Sequence, residues 1–235
     1  MRPVRVVVLT GAGISAESGV RTFRDSGGLW EGHDVEAVAT PEGFARDPEL
    51  VQRFYDARRR AVAQATPNAA HRALVHLEEA LGEDLLVVTQ NVDDLHERAG
   101  SRRVVHMHGE LLRAWCQECG RRHRWDGDLV DVPPCPACGE RALRPDVVWF
   151  GEVPYELERI DRAVTACDLF VSVGTSGSVY PAAGYVALAA SSGARTLELN
   201  LEPSEVSRFF DEVRTGPAAQ LVPQWVEQLV PGLRA

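Results

Sequence analysis

Four cysteines stand in two Cys-x-x-Cys pairs, Cys116 with Cys119 and Cys135 with Cys138, fifteen residues apart. Four thiolates at this spacing suit one tetrahedral zinc ion, and with every position filled by protein the site is structural. A glycine follows each pair, Gly120 and Gly139, which helps the backbone turn around a metal. A redox or catalytic metal and a nucleic-acid-binding ribbon are the alternatives. The run Arg121-Arg122-His123-Arg124 is either a basic patch for that ribbon or a solvated face.

Gly11-Ala12-Gly13-Ile14-Ser15-Ala16 fits the G-x-G-x-x-G/A pattern, follows an apolar run and can open a helix. Such glycines let backbone approach a pyrophosphate; an ordinary strand-to-helix turn is the competing reading. The acidic residue expected about 20 positions on, at the end of a second strand, is missing, since no strand precedes Glu36. Two further polar stretches, Thr89-Gln90-Asn91-Val92-Asp93 and His106-Met107-His108-Gly109-Glu110, follow strand-like runs. An Asn, an Asp and a His at strand ends can grip ribose hydroxyls and move a proton, and an unperturbed imidazole titrates near neutrality.

Elements that would carry these residues can be read from periodicity. Val4 to Leu9, Leu85 to Thr89, Leu169 to Val173 and Thr196 to Leu199 read as short buried strands. Pro48 to Gln64, Asn68 to Leu81, Tyr155 to Ala166 and Pro181 to Ser192 read as helices. The alternation implies an α/β fold, a Rossmann-like parallel sheet with helices on both faces, and a ligand crevice beyond the carboxyl ends of the strands. Residues 112–145 break the alternation as a small zinc-binding insert, and 20–47 read as a loop with short helices. His71 and His76 read as surface or helix-packing residues, Cys167 as buried, and Trp225 as packing the last helix on the core.

The chain has 235 residues, 45% of them apolar, with a formal net charge of -9. That balance disfavours nucleic acid held through the overall field. No apolar run approaches the roughly 20 residues of a membrane span, and the N-terminus lacks a signal-peptide pattern, so a cytoplasmic location is expected, with no membrane partner.

The motifs, taken in order, resemble those of the sirtuin family. The matching stretches are Gly11 to Ser15 with Thr22-Phe23-Arg24, Thr89 to Asp93, His108-Gly109-Glu110, the two Cys pairs, Pro145 to Glu152, Gly174-Thr175-Ser176 and Asn200. The resemblance implies a single catalytic domain, 1–235, with a Rossmann-like core at about 1–30, 67–111 and 146–235. A small module would occupy about 31–66 and 112–145, including a helical cofactor-loop insert, and a monomer is expected. It also implies that NAD is consumed as a co-substrate, alongside one structural zinc, to remove acyl groups from protein or peptide lysines. By the family's pattern His108 is the general base, and Asn91 and Asp93 hold ribose or nicotinamide and position water. Gly11, Ala12, Gly13, Ser15, Phe23, Arg24 and Gln90 would also meet the cofactor. Gly174, Thr175 and Ser176 would meet phosphate and ribose, Asn200, Leu201 and Glu202 the adenosine end, and Ala218 adenine. Val148, Phe150 and Gly151 lie in the stretch that pairs with the substrate backbone as an added strand. The missing acidic residue is then explained by a long cofactor loop in place of a second strand.

Tyr55 and Arg58 are three apart on a predicted helix and so share a face. Tyr-x-x-Arg here resembles the desuccinylase and demalonylase branch. A buried carboxylate needs a charged partner and hydrogen bonds, which Arg and Tyr supply; a solvated basic face over Arg58 to Arg60 is the alternative. Two other functions remain open at this level: mono-ADP-ribosyl transfer, and a non-catalytic NAD or zinc adaptor.

Overall fold

The computed structural model describes residues 4–20, 29–30 and 32–230. Their strands are β1 (Val6–Thr10), β2 (Leu29–Trp30), β3 (His33–Asp34), β4 (Leu85–Thr89), β5 (Val104–His106), β6 (Gly109–Cys116), β7 (Arg122–Arg124), β8 (Leu143–Val147), β9 (Leu169–Val173), β10 (Arg195–Asn200) and β11 (Glu212–Thr215). The helices are α1 (Gly13–Ala16), α2 (Val35–Val38), α3 (Pro41–Arg46), α4 (Pro48–Gln64), α5 (Ala69–Leu81), α6 (Leu95–Ala99), α7 (Leu157–Ala166), α8 (Tyr185–Ser191) and α9 (Ala218–Leu229).

β1 is apolar up to its last residue because both of its faces are covered. Val6 and Val8 join a core with Leu74, Leu77 and Trp225 of α5 and α9. Val7 and Leu9 join a second core with Ile160, Val164 and Val186 of α7 and α8. Side chains that alternate across a strand thus feed two layers of helix. The six-stranded sheet runs β5-β4-β1-β9-β10-β11, with every pairing parallel. In chain order its strands lie 3-2-1-4-5-6, the doubly wound arrangement, and the order reverses between β1 and β9. The crevice of such a sheet opens beyond the ends of those two strands, at Gly11 and Gly174. No helix among the described residues is long and apolar enough to cross a membrane.

β4, β9 and α4 have the bounds expected from the sequence, while Pro181 to Ser192 divides into a 3-10 turn (Ala182–Gly184) and α8. Among the features outside the expectation, two bear on the architecture. β11 is an edge strand with Glu212, Val213 and Thr215 exposed, so its sequence carries no buried-strand signal. The sheet β7-β6-β8 is held by cation stacking as well as apolar burial: the Arg122 and Arg144 guanidinium carbons lie 5.4 and 4.8 Å from the Trp115 ring centre. Arg122, exposed like Arg121 and Arg124, therefore stacks on a ring with its outer edge in water. His71 is buried, and burial lowers its pKa to about 4, so the ring is neutral at physiological pH. Its Nδ1 accepts from the Asn68 N–H at 3.4 Å at the start of α5.

Asp47 caps α4 by accepting from the Leu50 N–H, and Pro48 begins the helix. One face of α4 packs Val51, Phe54, Tyr55 and Val62 against Leu111, Val147 and Trp149. The same helix fastens the zinc module. Arg59 and Asp56 form a buried pair at 2.6 Å. Arg59 also donates to the carbonyls of Leu111 and Gly127, and Asp56 accepts the N–H groups of Leu129 and Val130. The core of that module is small: Ala114, Cys116, Leu129, Cys135 and Leu143.

The cysteine geometry fits a metal. The sulfurs of Cys116 and Cys138 are 3.7 Å apart, those of Cys119 and Cys135 3.8 Å, and all four lie within 4.8 Å of one another. A tetrahedron with Zn–S of about 2.3 Å requires sulfurs about 3.8 Å apart. Gly120 and Gly139 have φ of +71° and +81° and donate their N–H groups back to the Cys116 and Cys135 carbonyls, so each pair sits in a tight turn that a left-handed glycine closes.

Two measurements follow. Asp56→Ala strands the buried Arg59 charge and should cost about 3–5 kcal/mol in urea unfolding; a loss below about 1 kcal/mol would show that α4 does not depend on this pair. Elemental analysis should find one zinc per chain, and Cys119→Ser should abolish it and lower the thermal midpoint. An unchanged midpoint would mean that the module stands without metal.

Candidate functional site

The floor of the crevice is bare backbone. The Gly11 N–H donates to the Val173 carbonyl at 2.9 Å and the Gly13 N–H to the Gly174 carbonyl at 2.8 Å. A Cβ on Gly13 would lie 2.6 Å from Gly174 Cα, and one on Gly174, whose φ is +63°, 2.4 Å from the Ile14 nitrogen. Side chains cannot occupy these positions, so the β1 and β9 turns meet with nothing between them.

Above this floor the polar strand ends form one network. The Asn91 side-chain amide donates to the Gly11 carbonyl at 3.1 Å and to Ser15 Oγ at 3.2 Å, and Ser15 donates to Asp93 Oδ2 at 3.0 Å. The Gln90 side chain donates to Thr175 Oγ1, and the Asn200 amide to the Thr175 carbonyl at 2.8 Å. Burial holds the Asp93 carboxyl above the usual carboxylate range, against the bonds it accepts from the Leu95 N–H and Ser15. Gly11, Gly13, Ser15, Gln90, Asn91, Asp93, Gly174, Thr175 and Asn200 are therefore brought together from four separate strand ends.

His108 follows β5 by two residues and sits beside this network. Its Nδ1 lies 3.2 Å from the Gln90 carbonyl. A carbonyl can only accept, so Nδ1 carries the hydrogen and Nε2 the lone pair of the neutral ring. Among the described residues Nε2 makes no hydrogen bond. Burial lowers the His108 pKa against the pull of that carbonyl, which favours the neutral, basic form. The arrangement can take a proton from a hydroxyl group placed at Nε2.

The other described residues of the expected cofactor path lie on turns that follow the strands and at the start of α9. Ser176 hydrogen-bonds Ser178 at the β9 turn, and Ala12 precedes α1. Leu201 and Glu202 follow Asn200 and are exposed. Ala218 is buried at the start of α9, where the next N–H, that of Ala219, donates to Glu17 just beyond α1. Phe23 and Arg24 lie outside the described residues.

Tyr55 and Arg58 are both buried on α4, so neither belongs to a solvated face. Trp149 Nε1 donates to the Tyr55 hydroxyl at 2.9 Å, and burial pushes that phenol well above its usual range, which keeps it protonated. Trp149 is joined to the catalytic candidate by its neighbour, since the Val148 N–H donates to the His108 carbonyl at 2.9 Å. The Phe150 N–H donates to the Ala39 carbonyl and the Trp149 N–H to Glu152. A peptide laid along Val148 to Gly151 would thus meet carbonyls, with three successive N–H groups already engaged. Gly151 takes φ of +88° with open space around it, and Phe150 is exposed.

What holds this segment carries no local sequence signal. Arg144 is buried, its guanidinium carbon 3.6 Å from the Trp149 ring centre, and it grips both oxygens of Glu152 at 2.8 Å.

Comparison with known proteins agrees with this geometry. Residues 11–181 match the Sir2 family. The chain is 57% identical to an NAD-dependent protein deacylase of Pasteurella multocida over 97% of its own length and 99% of the relative's. A solved Sir2 homolog–NAD complex superposes with a TM-score of 0.88 at 39% identity, covering 96% of this chain and 89% of that one. A solved Sir2 protein bound to acetylated peptide superposes with a TM-score of 0.82 at 30% identity, covering 95% and 92%. With the family matched across most of its length and near-complete coverage of its relatives, this chain belongs to the Sir2 family.

Proposed function

We propose that this protein is an NAD-dependent protein-lysine deacylase whose preferred groups are succinyl and malonyl, with acetyl as a further substrate. The observation that carries the reaction class is the neutral His108, its tautomer set by the Gln90 carbonyl, beside the Asn91–Ser15–Asp93 network at the switch point of a doubly wound sheet. Membership in the Sir2 family supports NAD as the co-substrate. The acyl oxygen attacks C1′ of the nicotinamide ribose and nicotinamide leaves. His108 Nε2 would then accept the proton of a ribose hydroxyl as that oxygen bonds the acyl carbon, and water would add at the same carbon as its bond to the lysine nitrogen breaks, giving free lysine and O-acyl-ADP-ribose. Asn91 and Asp93 hold ribose or nicotinamide and position water, with Ser15 and Gln90 beside them. The glycines at 11, 13 and 174 let backbone reach the phosphates, and Ala12, Phe23, Arg24, Thr175, Ser176, Asn200, Leu201, Glu202 and Ala218 complete the cofactor path. Cys116, Cys119, Cys135 and Cys138 hold zinc away from this chemistry, as a structural ion.

The acyl preference rests on Tyr55 and Arg58. Both are buried on one helix face, and Tyr55 is tied to Trp149 next to the segment that would carry the peptide. A carboxylate-ended acyl group entering there would meet a cation and a protonated phenol. A hydrogen bond to a charged group contributes about 1.5–3 kcal/mol, roughly a ten- to hundred-fold preference over an acyl group that lacks the carboxylate.

Mass spectrometry of one peptide carrying acetyl-, malonyl- or succinyl-lysine, with and without NAD, tests the assignment. Succinyl and malonyl should be removed faster, and Tyr55→Phe with Arg58→Met should weaken desuccinylation at least about ten-fold more than deacetylation. Equal losses would refute the Tyr55–Arg58 assignment, and ADP-ribose attached to protein without free O-acyl-ADP-ribose would assign transfer instead. Because only neutral His108 is a base, kcat/KM should hold down to pH 6.5 and fall below it as the ring protonates through its lowered pKa. His108→Ala should abolish turnover while NAD still binds; undiminished turnover would remove the proposed base.

A further inference from the structure

We infer that His106 is a positioning residue for this reaction, a doubly protonated imidazole that pins the Asn91 carbonyl and thereby sets the turn on which the tautomer of His108 depends. The inference rests on the deacylase reading of the site.

Both ring nitrogens of His106 face groups that only accept. Nδ1 lies 3.1 Å from the Asn91 carbonyl, and Nε2 lies 2.8 Å from Glu97 Oε1. Two acceptors require two N–H donors, so the ring is an imidazolium paired with the Glu97 carboxylate of α6. Its side chain is 9% exposed and that of Glu97 43%, so the pair lies at the edge of the core with only the carboxylate in water. Burial opposes the charge, but the bond and charge of Glu97, the Asn91 carbonyl and Glu110 of β6 outweigh it and raise the His106 pKa. The other titratable groups that face it are Asp93 in the loop and His96 on α6.

What the ring holds is the unsecured part of Asn91. The Asn91 N–H donates to Thr89 Oγ1, and its side-chain amide is bound to Gly11 and Ser15. Its carbonyl accepts, among the described residues, from His106 alone. One residue earlier, the Gln90 carbonyl accepts from His108. Two imidazoles, two positions apart in sequence, therefore hold consecutive carbonyls of one turn. Releasing the Asn91 carbonyl frees the Asn91–Val92 peptide to rotate about the Asn91 Cα, and the adjoining Gln90–Asn91 peptide, whose carbonyl keeps the hydrogen on His108 Nδ1, is then held only by Thr89 Oγ1 and His108 itself. The positive charge of His106 also favours the ionised form of Asp93, against its burial.

Two substitutions separate this role from simple packing. The amide nitrogen of Asn sits where Nδ1 does, and that of Gln reaches the position of Nε2. His106→Asn keeps the bond to Asn91 and loses Glu97, whereas His106→Gln keeps Glu97 and loses Asn91. Both lose the charge and one hydrogen bond, so their thermal midpoints should fall together. Their kcat values should not: His106→Asn should stay within about three-fold of the parent and His106→Gln should fall about ten-fold or more, with KM for NAD little changed. Nitrogen NMR of histidine-labelled parent should show both His106 nitrogens protonated at neutral pH, and His108 protonated on Nδ1. Equal kcat in the two variants, or a deprotonated nitrogen on His106, would overturn the inference while leaving the deacylase reading intact. A parent with no NAD-dependent turnover would overturn that reading and this inference with it.

Discussion

The site depends on one contact that admits no side chains. Where β1 and β9 end, the Gly11–Gly13 turn lies directly on Gly174, closer than any Cβ allows. Because the strand order reverses at this point, the two chains leave the sheet in opposite directions, and the polar residues that follow each strand converge on the same space. Asn91 reaches the Gly11 carbonyl, and Gln90 reaches Thr175, only because the turns are that close. A larger residue at 13 or 174 would separate the floor before it touched any ligand.

The site is built from buried polar groups, and each is satisfied within a short circuit. Asn91, Ser15 and Asp93 form one such circuit, and Gln90, Thr175 and Asn200 another. Leaving one buried donor or acceptor unpaired costs about 1–3 kcal/mol, so these circuits resist local rearrangement. The two histidines of the site diverge for the same reason. His108 meets one carbonyl and stays neutral, whereas His106 meets a carbonyl and a carboxylate and takes a proton. Environment alone, acting on residues two apart, separates a neutral ring from one paired with a carboxylate.

α4 couples the two lobes. Tyr55 and Arg58 stand on it near Trp149, and Asp56 and Arg59 tie it to the loop at 127–130 of the zinc module. The module has too little apolar core to stand alone, so four thiolates at metal spacing and a buried ion pair take the place of hydrophobic burial. A metal in that module would thus bear on Tyr55 and Arg58 indirectly, through the helix that carries them. Arg144 plays a similar part for the segment at 148–151, stacking on Trp149 while it grips Glu152.

Local pattern determined much of this protein without any structure. The strands buried on two faces announce themselves as apolar runs, α4 carries its period, and the spacing of the cysteine pairs suits a metal. The glycine turn and the Asn, Asp and His at strand ends were equally legible, because strand ends and turns are local features. Tertiary structure decided the rest. β11 is polar since it is an edge, and the small sheet has no hydrophobic period since cation stacking and metal geometry replace an apolar face. The charge on His106, the tautomer of His108 and the burial of Arg58 and Arg59, in a run for which a solvated face is the alternative, all depend on partners far along the chain, which sequence spacing does not encode.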